Sequence, residues 1–168
     1  MGLVYQNMGN YQEALRCLNK SLSHREFIYG ENHPDIAISY QNLGIISGHL
    51  GEYQQAQKYL EKALDIRKNT DREIHPDTGS LYCDLSAIQE SLGNYQASLN
   101  YQKKGLWIQK LYYEEKHPRV AHSYHGLGCI YEHLGIYQKA LRYYNKALEI
   151  NKNFFGERHS TIAHTYLN

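Results

Sequence analysis

Between residues 34 and 50 the apolar and small side chains recur at the spacing of a helix. Tyr40, Leu43, Gly44 and Ser47 fall at i, i+3, i+4 and i+7, which is one helical face. The same slots 42 residues on hold Tyr82, Leu85, Ser86 and Gln89, and then Tyr124, Leu127, Gly128 and Tyr131. A second helical face begins at Tyr53 and runs through Ala56, Leu60, Ala63 and Leu64. It returns as Tyr137, Ala140, Tyr144, Ala147 and Leu148. Small residues facing large ones let neighbouring helices interlock. The third copy departs from this rule, with Ser98, Gln102 and Gly105 in place of Ala, Leu and Ala.

The punctuation between these faces keeps the same beat. Gly-x-Tyr units start at Gly9, Gly51, Gly93 and Gly135, always 42 residues apart. His33-Pro34, His75-Pro76 and His117-Pro118 follow that period, as do His159-Ser160 and the leucines Leu22, Leu64, Leu106 and Leu148. One unbroken period over several markers is the mark of a solenoid. Proline suits the first turn of a helix, where its missing N–H has no partner to lose. Asp35 and Asp77 then place negative charge at the positive end of the helix dipole, and Ser160 is itself a reasonable N-cap. Each Gly ends the helix by adopting a left-handed conformation. The period therefore predicts helix A, a tight turn and helix B. Helices A fall at about 1–8, 34–50, 76–92, 118–134 and 160–168. Helices B fall at about 11–29, 53–70, 95–113 and 137–155. The whole chain, 1–168, is one array of about four hairpins, paired near 1–29, 34–70, 76–113 and 118–155 with a fifth starting at 160–168. It begins and stops inside a helix A and lacks a polar capping helix, so a fragment of a longer protein is expected.

The order Tyr40…Leu43-Gly44…Gly51-x-Tyr53…Ala56…Leu60…Ala63 resembles the tetratricopeptide repeat signature over the full chain. The period exceeds the usual ~34 residues. The runs Ala63-Leu64-Asp65-Ile66-Arg67 and His33-Pro34-Asp35-Ile36-Ala37 are similar to the long repeats of kinesin light chains. Nephrocystin-like and other long-repeat proteins share that pattern. The resemblance implies an all-α fold, a right-handed superhelical solenoid of antiparallel helix hairpins. It also implies a concave groove lined by helices A, and hence a scaffold that binds a protein or peptide rather than an enzyme.

The helix A positions not used for packing are the candidate partner-binding residues. They are Ile38, Gln41, Asn42, Ile45 and His49 in the second period, and Asp84, Ala87 and Glu90 in the third, where Ser80, Cys83 and Ser91 share the face. In the fourth they are His122, His125, Cys129, Glu132 and His133. Amides such as Gln41 and Asn42 can bond a peptide backbone while apolar gaps take its side chains. The plainer reading of many of these positions is solvated surface, since few interface residues carry the energy. Kinesin light chain repeats offer an Asn-Asn-Leu step, which Gln41-Asn42-Leu43 approaches and Cys83-Asp84-Leu85 and His125-Gly126-Leu127 do not. Asp84, Glu90 and Glu132 also oppose the basic groove of that family. A motor–cargo adaptor, and a repeat array regulating an attached enzyme or nucleotide-binding switch domain, are the alternatives.

Composition narrows the classes further. A net charge of +1 supplies no basic face for nucleic acid. No apolar run approaches the ~18 residues of a membrane span, and the first residues are not a signal peptide. Gln6 stands where a myristoylation signal wants Ser or Thr. Cys17, Cys83 and Cys129 form no Cys-x-x-Cys pair, which favours free thiols in a reducing, cytoplasmic setting. Seventeen tyrosines against three phenylalanines suit a thin, half-wet core. His122, His125 and Cys129 share a face, yet structural zinc usually draws paired ligands from a turn. A histidine-rich groove wall is therefore favoured over a metal site. Cys129 beside His125 lacks an orienting acid or oxyanion loop, so no catalytic residue and no cofactor is expected. The dyad histidines are expected to cap or pack, Trp107 to be buried, and Lys103, Lys104 and Lys110 to form a solvated face. The oligomeric state is left open.

Overall fold

The structure, a computed structural model, describes residues 10–70 and 73–156. The helices expected at 1–8 and 160–168, the first Gly of the Gly-x-Tyr series and the His159-Ser160 pair lie outside the described residues. Seven α-helices and no strand occur among those described. They are α1 Tyr11–Tyr29, α2 Pro34–His49, α3 Tyr53–Asn69, α4 Pro76–Ser91, α5 Tyr95–Tyr112, α6 Pro118–His133 and α7 Tyr137–Phe155. The chain divides into two units, Met1–Ile74 and His75–Asn168. In the first, α2 packs between α1 and α3. In the second, α4 pairs with α5 and α6 with α7, while α6 also meets α5 and α4.

Histidine starts each helix A among the described residues. Nδ1 of His33, His75 and His117 accepts the backbone N–H of Asp35, Asp77 and Arg119 at 3.2, 3.2 and 3.1 Å. The ring thus does the work usually given to Ser or Asp at an N-cap. It is held in place by stacking, with Tyr29 against His33 at 4.6 Å and Tyr113 against His117 at 4.3 Å. The same helices stop alike. Gly51, Gly93 and Gly135 have φ of 78, 78 and 71°. The following N–H groups reach back five residues, from Glu52 to the Ser47 carbonyl at 2.9 Å, and equivalently from Asn94 and Ile136. That is the Schellman arrangement, and it sets the tight turn into helix B.

Tyrosine fills the hairpins in a repeated unit. Tyr40 lies against Tyr59 with the Lys62 ammonium 5.2 Å from its ring centre. Tyr82, Tyr101 and Lys104 repeat this, as do Tyr124, Tyr143 and Lys146. The hydroxyls find carboxylates at the wet edge, Tyr40 donating to Glu26 at 2.9 Å and Tyr124 to Glu115 at 3.0 Å. Small residues admit the partner helix where helices A and B cross. A Cβ on Gly44 would sit 2.6 Å from Leu60 Cγ, and one on Gly128 2.5 Å from Tyr144 Cδ1.

The α4/α5 hairpin is filled differently. Ser86 and Ser98 hydroxyls lie 2.9 Å apart, and Gln102 Nε2 donates to the Ser123 carbonyl at 3.1 Å. Ser123 Oγ donates to Gln109 Oε1 at 2.6 Å. All of these side chains are buried. One expectation is sharpened here and another corrected. Cys83, placed on the groove face by sequence, borders that face but is buried, because Gln109 and Ser123 close over its sulfur. Trp107, expected in the core, is 53% exposed, because it occupies the outward helix B position that holds Asp65 and Glu149 in the flanking periods.

Candidate functional site

Helix A carries the candidate residues, and each unit presents its own set. In the first unit α2 leaves Ile38 and His49 exposed and Gln41, Asn42 and Ile45 half-buried. Gln41 Oε1 accepts from Arg67 Nη2 at 3.3 Å, which ties the helix A amide to helix B beneath it. His49 stacks on Tyr11 at 5.0 Å.

In the second unit α4, α5 and α6 enclose a cleft of about 280 Å³ lined by Ser80, Cys83, Asp84, Gln109, Pro118, Arg119 and His122. Asp84 and His122 are thereby brought to one place from different repeats. Arg119 Nη1 donates to Ser80 Oγ at 2.9 Å, and its guanidinium stands 5.7 Å from the Tyr113 ring centre. Part of the His122 surface stays open to solvent. Even so, loss of water around the ring, and secondarily the Arg119 charge, push its pKa below the usual histidine range. A neutral imidazole can both donate and accept. Burial pushes the Cys83 thiol up to about 11, so it is neutral and a poor nucleophile.

Farther along the same helices His133 Nδ1 lies 2.8 Å from Glu90 Oε1, and His133 stacks on Tyr95 at 5.2 Å. Burial raises the Glu90 pKa, with His133 opposing the shift. Ala87 is exposed between this pair and the cleft. His125 Nδ1 lies 3.6 Å from Cys129 Sγ. Glu132 turns instead to helix B, accepting from the Tyr144 hydroxyl at 2.6 Å. Burial raises the Cys129 pKa as well. Among the described residues no three His, Cys, Asp or Glu side chains gather as a metal ion would need.

Sequence reasoning missed two polar lining residues. Arg119 follows Pro118 where Asp35 and Asp77 follow the earlier prolines, and that break in the repeat was its signal. Gln109 comes from helix B, at the position held by Arg67 one period before. Only the fold shows that helix B reaches the cleft floor.

Residues 1–69, 48–110 and 77–153 each match the tetratricopeptide repeat family. The chain belongs to that family. Such repeats generally serve as protein-interaction scaffolds, and the fold is typically non-catalytic. Among solved structures it is similar to BtubC (BKLC) from P. vanneervenii, with a TM-score of 0.87 and 21% identity over 99% of this chain. The match spans 66% of that protein. A kinesin light chain-like protein of Podosopora anserina with nearly identical TPR-like repeats gives a TM-score of 0.81 at 22% identity, covering 98% of this chain and 78% of that one. MamA gives 0.64 at 21%, covering 95% and 74%. Likeness at this identity concerns the fold alone. No curated protein sequence matches the chain. No helix among the described residues is long and apolar enough to cross a membrane.

Proposed function

We propose that this chain is an interaction module whose helix A surface seats a peptide or an extended segment of a protein partner, anchored at the cleft between α4 and α6. The observation that supports this most is the cleft's lining. An acid, a base, a neutral imidazole, an amide and a hydroxyl surround a space of about 280 Å³. That is at or below the lower bound of the roughly 300–1,000 Å³ of small-molecule pockets, so it suits one or two side chains of a longer ligand. Arg119 supplies a planar fork of donors for a carboxylate or backbone carbonyl. Asp84 accepts from backbone N–H groups, and His122 serves either partner. Ile38, Gln41, Asn42, Ile45 and His49 in the first unit, and Ala87, Glu90, His125, Cys129, Glu132 and His133 in the second, are the further contact positions of this reading.

The test is a peptide-array screen with the 168-residue chain, followed by titration of the best binders. Arg119→Asp restores the acid of the sister positions, so it is compatible with the repeat. It and Asp84→Asn should each weaken a cleft-anchored peptide at least several-fold, while Asn42→Ala and His125→Ala change the contribution of the flanking positions. Binders whose affinity is untouched by both Arg119→Asp and Asp84→Asn would refute the cleft as anchor.

A further inference from the structure

Helix α5 is the one described helix without an aspartate or glutamate; its charges are Lys103, Lys104 and Lys110. All three lysines are exposed, and they stand four and three residues before and three residues after Trp107. At 3.6 residues per turn those offsets share one face, and Leu111 continues it one turn on. Trp107 is 53% and Leu111 56% exposed. Gln109, two residues along and hence about 200° around the helix, is buried in the polar core. The tryptophan therefore stands on the side away from that core.

The repeat does not demand these apolar residues. Trp107 aligns with Asp65 and Glu149, and Leu111 with Asn69 and Asn153, at the same helix B positions of the flanking periods. The backbone is the same with a carboxylate there. Replacing two polar residues by a half-exposed indole and an isobutyl group gains little for folding and leaves an apolar spot in water. The lysines beside it are partly fixed. Lys104 lies 5.6 Å from the Tyr82 ring centre, and Lys110 pairs with Glu115 at 2.9 Å. Neither contact buries the ammonium, and Lys103 on the same face is open to solvent.

We propose that this face of α5 is a second docking surface, for an acidic protein segment that presents an aliphatic or aromatic side chain among its carboxylates. Charge complementarity selects the occupant, because three ammonium groups with no carboxylate on their helix attract an anionic strand and set its register. Tryptophan supplies the anchor, since it brings large contact area at small entropic loss and dominates interface energetics. The surface is independent of the α4/α6 cleft, and its test does not need that reading to hold.

Trp107 is the only tryptophan in the chain, so its emission reports on the site directly. The probe is a short synthetic peptide of Asp and Glu with a central Leu-Phe. Its controls are the same peptide with every acid changed to Lys, the same peptide with Leu-Phe changed to Ser-Ser, and phosphatidylserine vesicles. The acidic Leu-Phe peptide should shift the emission to the blue, salt should weaken it, and Lys103→Glu should lower affinity about tenfold. The double variant Trp107→Asp/Leu111→Asn, which carries the residues of α3, should fold with unchanged circular dichroism. In calorimetry it should lose binding while leaving Arg119-dependent peptides unaffected. Equal binding of the lysine or serine peptide, unchanged affinity in the double variant, or a response to vesicles alone would overturn the proposal.

Discussion

The α2/α3 and α4/α5 hairpins share a backbone plan and differ in what fills them. In α2/α3, Leu60 drops into the space left by Gly44, with Ala56 and Ala63 beside it, and the crossing is closed by apolar contact. In α4/α5 the same slots hold Ser86, Ser98, Gln102 and Gly105. Their closure comes from hydrogen bonds: Ser86 bonds Ser98 within the hairpin, and further bonds leave it. Gln102 and Gln109 both engage Ser123 of α6. The apolar crossing closes within its own hairpin, whereas the two glutamines of the polar one take partners from the next helix. This couples α4/α5 to α6 through named bonds, and the cleft opens beside that coupling, with Gln109 and Cys83 in its wall.

The largest effects should come from the apolar hairpin. Leu60→Ala removes a fully buried side chain from a crossing that Gly44 shapes around it. A loss of about 2–5 kcal/mol is expected in denaturant unfolding, with its range set by how far the helices collapse into the gap. A loss under about 1 kcal/mol would show that the hairpins are not packed as described. Ser123→Ala should cost less, about 1–3 kcal/mol, by leaving Gln109 Oε1 and the Cys83 thiol without their shared hydroxyl. This variant carries the comparison. If the polar core works by reaching across repeats, Ser123→Ala should raise hydrogen exchange in both α5 and α6. An effect confined to α6 would show that the network does not couple them.

Caps come next in size. His75→Ala should cost roughly 1 kcal/mol through loss of the Nδ1 acceptor for Asp77 N–H. His75→Asn should recover most of it, because an amide oxygen can accept the same N–H. If Asn and Ala behave alike, the ring acts by its tilted packing against Tyr112 and not as a cap.

Sequence periodicity reached the seven described helices almost to the residue, and the reason is visible in the end signals. His-Pro and Gly-x-Tyr are local devices, and each completes its hydrogen bonds within a few residues. The packing faces of α2, α3, α6 and α7 were legible for the same reason, since Leu43, Leu60, Leu127 and Tyr144 obey the helical period. Long-range pairings were not legible. Ser98 and Gln102 read as weak packing because their partners, Ser86 and Ser123, lie 12 and 21 residues away. The pairing of Glu90 with His133 spans a full repeat, and no local spacing announces it. Trp107 misled because composition favours burying an indole, whereas its repeat position, shared with Asp65 and Glu149, places it outward. Alignment of the repeats against one another was the better guide there.

The smallest expected effect concerns Cys83 and depends on pH. Burial holds its thiol at about 11, above the ordinary value of 9.0. The folded state thus favours the neutral thiol more than the unfolded chain does. Its contribution to stability is complete below the ordinary value and is lost as pH rises towards about 11. Wild type and Cys83→Ala should therefore differ by a constant amount from pH 6 to about pH 8 and converge above it. Subtracting the two curves removes the tyrosines and lysines that titrate in the same range. The same burial predicts that iodoacetamide at pH 8 labels Cys17, which is half-exposed, well before Cys83 in the folded chain. Equal labelling rates by mass spectrometry would mean that α5 opens away from α6 on the timescale of the reaction. The polar hairpin would then be the looser of the two despite its hydrogen bonds.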